Sequence, residues 1–187
     1  LPTLLHRFST VDQLELFGLQ AHQAHAVHAF VVQLAALALR RAGADDPGAL
    51  TVEQWRELLF ELGDAEEDAW RLVVDDLEKP AFLQPPVPGG DAKEYKRVEQ
   101  TPQGIDVLVL AKNHDIKSSR DWAARPEHWV YTLISLQTME GYSGRGNYGI
   151  ARMNSGFGNR PALGYAPDAG WPARFRRDLA MMLDARE

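Results

Sequence analysis

The chain has 187 residues, 45% of them hydrophobic, with 26 acidic and 20 basic side chains, six histidines and no cysteine. That length and apolar content can build a genuine core in one domain, while the missing cysteines exclude disulfides, thiolate metal sites and cysteine nucleophiles and fit a reducing cytoplasm. No apolar run reaches the roughly 18 residues of a membrane helix, and no signal peptide is visible.

In chain order, residues 12–19 (DQLELFGL) read as a helix or an extended lead-in. Gln20 to Gly43 is a strong helix: Ala, Leu, Gln and Arg dominate it, and Val27, Phe30, Val31, Leu34, Leu37 and Ala38 recur at helical spacing. Arg40 and Arg41 suit the negative end of its dipole, and Gly43 is the stop. Thr51 and Gln54 form a capping-box pattern that opens a helix through about Leu62. Glu66 to Leu77 reads as a further short helix. Four prolines between Lys79 and Gly90 then exclude a helix interior or a central strand, and predict an ordered extended segment if Phe82 and Leu83 are buried. Val107 to Ala111 (VLVLA) predicts a strand, followed by a polar loop from Lys112 to Arg120. Pro126 suits the first position of a helix to about Glu140, with Val130, Leu133, Ile134, Gln137 and Thr138 on one face and Gly141 ending it. Pro172 to Arg186 predicts a last helix with Phe175, Leu179, Met182 and Leu183 together. The expected fold is α+β: a single helix-rich domain over 1–187, with a few short strands and a glycine-rich loop.

That loop is the most informative stretch. Gly141 to Gly164 (GYSGRGNYGIARMNSGFGNRPALG) holds seven of the 15 glycines, with Arg145, Arg152, Arg160, Asn147, Asn154 and Asn159 among them. Glycine lets a backbone approach another polymer closely, and guanidinium forks bind phosphates or base edges bidentately. The charge distribution points the same way. Residues 1–92 carry 6 Lys/Arg against 15 Asp/Glu, residues 93–187 carry 14 against 11, and Gly141 to Arg177 has six arginines and the single acid Asp168. An acidic protein can bind nucleic acid through such a basic segment.

Other motifs carry less. Gly144, Gly146 and Gly149 match the spacing of a dinucleotide-binding fingerprint, but that fingerprint needs a strand before it and a helix after it, whereas a helix precedes it here. His22, His25 and His28 recur every three residues; the outer two are about 240° apart on a helix, so only neighbours could share a metal, and a surface or half-buried histidine run is the better reading. His114 and Asp115 are adjacent on extended chain and point apart, a poor catalytic pair, and Ser118 and Ser119 could be nucleophiles only with an oriented base. Lys112, Asn113, His114, Lys117 and Arg120 suit phosphate contacts better. Tyr142 and Tyr148 could stack on a base, though anchoring the loop is their commoner use, and the five tryptophans read as packing residues.

Taken in order, these segments resemble a known family. The helix HAFVVQLAALALRRAG, the segment TVEQWRELL followed by KPAFLQ, the stretch VLVLAKNHDIK and the final LISLQTMEGYSGRGNYGIARMNSGFGNRP are similar to the large subunit, CasA, of the type I-E CRISPR surveillance complex Cascade, over roughly residues 20–177. The resemblance implies a non-catalytic, cytoplasmic subunit without cofactor or metal. It implies recognition of the protospacer-adjacent motif (PAM) in target double-stranded DNA, help in starting unwinding, and recruitment of the helicase-nuclease. Gly144, Arg145, Gly146, Asn147, Arg152, Asn154 and Arg160 would be the DNA-binding residues. Lys112, Asn113, His114, Lys117 and Arg120 would meet the CRISPR RNA or the other Cascade subunits. The family's C-terminal helical bundle is absent from this chain, which would be the N-terminal domain. The minor groove is narrow and its code degenerate, so a reader needs close approach more than full discrimination.

Two other readings start from the same residues. In one, the glycine-rich loop holds a nucleotide phosphate in an enzyme. In the other, its arginines bond the protein's own carbonyls and are purely structural.

Overall fold

The computed structural model describes residues 1–94, 98–106, 124–139 and 169–185. Five α-helices lie among them: α1 (Pro2–Thr10), α2 (Ala24–Ala42), α3 (Val52–Leu62), α4 (Pro126–Met139) and α5 (Trp171–Asp184). Short 3₁₀ turns connect them, including Ala21–Gln23, Asp68–Trp70 and Pro102–Ile105. The described residues contain no β-strand, and their single extended pairing is an isolated bridge between Ala81 and Gln84. The α+β expectation is therefore corrected to a helical fold. The residues expected to form a strand, 107–111, lie outside the described residues, as does the glycine-rich segment, 141–164.

The contacts divide the chain into two units. The first holds 1–17, 28–67 and 162–187; the second holds 18–27 and 68–161. In the first, α1 packs against α3 and α5. Phe8, fully buried, stacks on Phe175 at 5.2 Å between ring centres and on Trp171 at 6.2 Å. Such pairs add about 1 kcal/mol beyond the area they bury. The sequence reading passed over α1: Pro2 sits in its first turn, where a missing N–H costs nothing, and Leu5 and Phe8 lie one turn apart on its buried side. His6 Nδ1 lies 2.9 Å from the Leu50 carbonyl, tying α1 to the entry of α3.

Helix α2 shows why an almost wholly apolar helix is central. Val27, Val31, Leu34 and Ala38 are buried as expected, but so are Ala26, Val32, Ala35, Ala36 and Leu39. Exposure is confined chiefly to a stripe of five residues spaced four apart, His25, Ala29, Gln33, Leu37 and Arg41. Gly43 ends the helix at φ +64, where its N–H bonds the Arg40 carbonyl at 3.2 Å and that of Ala44 bonds Leu39 at 3.0 Å. These two bonds are the Schellman closure that favours glycine.

The capping box opening α3 is present in both directions: Thr51 N donates to Gln54 Oε1 at 2.8 Å, and Gln54 N to Thr51 Oγ1 at 3.2 Å. The helix ends differently. Asp64 and Ala65 both adopt left-handed backbone, at φ +56 and +62, while Asp64 N bonds Glu61 and Ala65 N bonds Phe60. Two successive left-handed residues turn the chain out of the helix. The short helix expected over Glu66 to Leu77 is reduced to the 3₁₀ turn at Asp68–Trp70.

In the second unit, α4 packs against the turns at Ala21–Gln23 and Pro102–Ile105. Every residue from Tyr131 to Gln137 is buried. Ser135 Oγ is satisfied within the helix, donating to the Tyr131 carbonyl, as the half-buried Thr138 Oγ1 donates to Ile134, while the Thr132 hydroxyl accepts from Gln23 outside it. Within the proline-rich stretch Ala81–Gln84 form a tight turn rather than extended chain. Phe82 is buried against Trp70, Leu83 takes φ +54, and the Gln137 amide reaches the Leu83 carbonyl at 2.7 Å. The turn is closed by paired backbone bonds between Ala81 and Gln84 at 3.0 and 2.9 Å, and Gln84 Nε2 ties it to the Leu72 carbonyl at 2.9 Å.

Two substitutions at either end of α3 test this account by urea unfolding. Thr51→Ala should lower stability by about 1 kcal/mol through loss of the cap. Ala65→Gly should raise it by about 0.5–1 kcal/mol, since glycine occupies left-handed backbone without the Cβ penalty.

Candidate functional site

Two carboxylate-centred clusters stand out, one in each unit, and each uses a histidine from the run at 22–28. In the second unit Asp106 is 2% exposed. A carboxylate so placed must be held by donors, because burying an unpaired charge is prohibitive. His22 Nε2 lies 2.8 and 3.0 Å from its two oxygens, and Gln23 Nε2 donates to Oδ2 at 2.9 Å. The same Gln23 nitrogen also donates to Thr132 Oγ1 of α4 at 3.2 Å, while Gln23 Oε1 accepts from Gln20 N at 3.2 Å. Sequence reading missed this group. Asp106, Gln23 and Thr132 are 83 and 109 residues apart as bonded pairs, and no local motif joins them. Only the position of Asp106, an acid directly before an apolar run, hinted at it.

In the first unit His28 Nε2 lies 2.7 Å from Asp178 Oδ2, and Arg177 Nε donates to Asp178 Oδ1 at 2.6 Å. The His28 ring also tilts against Trp171 at 5.8 Å. Partial burial alone would raise the Asp178 pKa, but the bonds from His28 and Arg177, with their charges, outweigh it and hold the carboxyl below its ordinary range. The pair has the chemistry of a general base and its orienting acid, yet His28 Nδ1 is buried and bonds no described group. A base whose free nitrogen faces inward ties α2 to α5 rather than meeting a substrate. His25 is exposed between them, and among the described residues no group of three His, Cys, Asp or Glu could hold a metal ion.

The residues expected to bind nucleic acid are placed as follows. Gly144, Arg145, Gly146, Asn147, Arg152, Asn154 and Arg160, and Lys112, Asn113, His114, Lys117 and Arg120, all lie outside the described residues. Their flanks are described. Segment 107–123 follows Asp106 directly, and segment 140–168 lies between α4 and α5. At the far end of the basic stretch, Arg176 donates to the Val11 carbonyl at 2.8 Å and pairs with Asp12, while Arg177 is held by Asp178. Those two cations serve the fold, so the basic patch counted through Arg177 is smaller than composition suggested. No helix among the described residues is long and apolar enough to cross a membrane.

No protein family, curated protein or solved structure matches this chain.

The Asp178 cluster gives a pH test with a definite sign. A carboxyl whose folded pKa is depressed contributes stability above its unfolded value, and that contribution is lost as pH falls through the folded value. Asp178→Asn should therefore lower the urea midpoint at neutral pH, and the gap from wild type should close as pH falls below about 4. A gap that stays constant with pH would show that the ionic bonds to His28 and Arg177 contribute nothing.

Proposed function

We propose that this chain is the N-terminal, non-catalytic part of a large subunit resembling that of the type I-E CRISPR surveillance complex, reading the PAM of double-stranded DNA in the cytoplasm. One observation carries the reading: the ordered series of sequence segments that ends in LISLQTMEGYSGRGNYGIARMNSGFGNRP, a glycine, arginine and asparagine stretch that follows a helix. The helical frame supports it. Helix α4, buried from Tyr131 to Gln137, is a firm platform immediately before that stretch, and binding segments are commonly carried by rigid scaffolds. In this reading Gly144 and Gly146 allow close approach to the minor groove. Arg145, Arg152 and Arg160 favour its negative potential, and Asn147 and Asn154 bridge acceptors on base edges. Lys112, Asn113, His114, Lys117 and Arg120 meet the guide RNA and the sister subunits, and the assembled complex then engages the helicase-nuclease.

The test uses the chain assembled with CRISPR RNA and its sister subunits, titrated with PAM-bearing duplex across a range of salt. Arg145→Ala with Asn147→Ala should weaken binding about tenfold or more, and loss of one phosphate contact should reduce the salt slope by about one unit. Unchanged binding overturns the assignment. A mononucleotide that raises the Tm of the isolated chain by several degrees would point instead to an enzyme that holds a phosphate on the glycine-rich segment.

A further inference from the structure

Residues 84–90 (QPPVPGG) are buried with a period of three. Gln84, Val87 and Gly90 are half-buried, while Pro85 and Pro88, and Pro86 and Gly89, are exposed. A polyproline II helix has three residues per turn, so this is the pattern of such a helix laid on the protein by one edge, with two edges turned outward. The sequence dictates that conformation. Proline fixes φ at about −65°, and a residue before proline is kept out of the α region. Gln84, Pro85 and Val87 each precede a proline, and Val87 is extended at φ −88 and ψ 117. At Pro88 the chain enters the 3₁₀ turn Pro88–Gly90, which keeps the same period.

The inward edge is bonded and the outward edges are open. Val87 N donates to the Leu77 carbonyl at 2.7 Å, Gln84 Nε2 to the Leu72 carbonyl at 2.9 Å, and Gly90 N to the Val87 carbonyl at 3.0 Å. Pro85, Pro86 and Pro88 have no N–H to satisfy, and no described group donates to the Pro85 or Pro86 carbonyl. The strip is thus fixed from beneath, with apolar rings and free acceptors facing away. Leu77, beside Val87, is 39% exposed and widens the apolar surface. The rim is acidic. Glu78 lies against Gly90, where a Cβ on the glycine would sit 3.4 Å from Glu78 Cγ. Asp75, Asp76 and Glu78 are exposed with no described cation paired to them, whereas Lys79 is held by Asp68 and Lys93 by Asp91.

We propose that Pro85, Pro86 and Pro88 form a docking strip for a partner protein domain that reads polyproline II chain through a groove lined by tyrosine and tryptophan and bordered by lysine or arginine. Such grooves seat proline rings against aromatic faces and offer O–H and N–H donors to the carbonyls between them. A strip already held in the bound conformation loses little chain entropy on docking. The basic border answers Asp75, Asp76 and Glu78 and sets this partner apart from one with an acidic groove. Docking here is independent of the nucleic-acid reading made above.

The experiment titrates the full chain into a labelled SH3-type domain and follows fluorescence anisotropy, with two forms of the domain. One keeps an acidic loop beside its aromatic groove; in the other the acids of that loop are replaced by lysine. The lysine form should bind this chain about tenfold more tightly than the acidic form. Pro85→Ala and Pro88→Ala should each weaken binding of the lysine form about tenfold, because each empties one position on the same outward edge. Glu78→Lys, which leaves every proline in place, should reverse the preference between the two forms and provides the reading if a proline variant does not fold. Leu179→Ala, a core truncation in the other unit, should lower Tm and leave the affinity unchanged, which separates docking from stability. If neither form binds, if the proline variants bind as wild type does, or if wild type prefers the acidic form, the strip is not the docking site proposed.

Discussion

A buried negative charge has to be surrounded before anything else can be settled, and Asp106 imposes that condition on the second unit. Its solvent contact is almost nil, so its free energy depends on the donors brought to it from residues far away in sequence. Removing one donor from such a group costs more than the hydrogen bond itself is worth, because the carboxylate then lacks both water and partner. The turn at Ala21–Gln23, the turn at Pro102–Ile105 and α4 are therefore fixed together with a specificity that apolar packing alone does not provide. In the first unit, stacked aromatic rings take that organising role: Phe8 against Phe175 and Trp171 sets how α1 meets α5, and Trp55 and Leu59 seat α3 in the same core.

The two clusters share a design and differ in consequence. Each pairs a carboxylate with a histidine of the same run, His22 in one and His28 six residues later in the other, and each adds a second donor. Asp178 is partly open to solvent and retains an arginine, so its bonds respond to acid. Asp106 receives an uncharged amide in the place where Asp178 has the guanidinium. An amide confers direction without adding charge, which suits a joint meant to fix geometry.

What could be read from the sequence was whatever is encoded locally. The capping box at Thr51 and Gln54, the glycine stop at Gly43 and the proline start at Pro126 are all decided within a few residues, and all occur. The misses came where distant groups decide. The helix expected over Glu66 to Leu77 is reduced to a 3₁₀ turn, and it follows two left-handed residues, Asp64 and Ala65, of which the alanine gives no local sign of that conformation. The extended segment expected near Phe82 holds a tight turn at Ala81–Gln84, closed by its own backbone bonds and met by the amide of Gln137 from 54 residues away. The expectation of strands rested chiefly on 107–111, which together with the glycine-rich segment lies outside the described residues. The site was the least legible part. Its three bonded members come from three separate regions, and the two arginines nearest the last helix turned out to serve the fold.

The left-handed exit from α3 leaves residues 64–67 solvent-facing and outside any helix, just before the sequence passes from the first unit to the second at residue 68. Backbone of this kind accepts added length cheaply, since lengthening a surface connection costs little closure entropy. This stretch is thus a natural point at which related chains could gain or lose residues, or at which a reporter could be grafted, with the aromatic core and the carboxylate clusters left as they are.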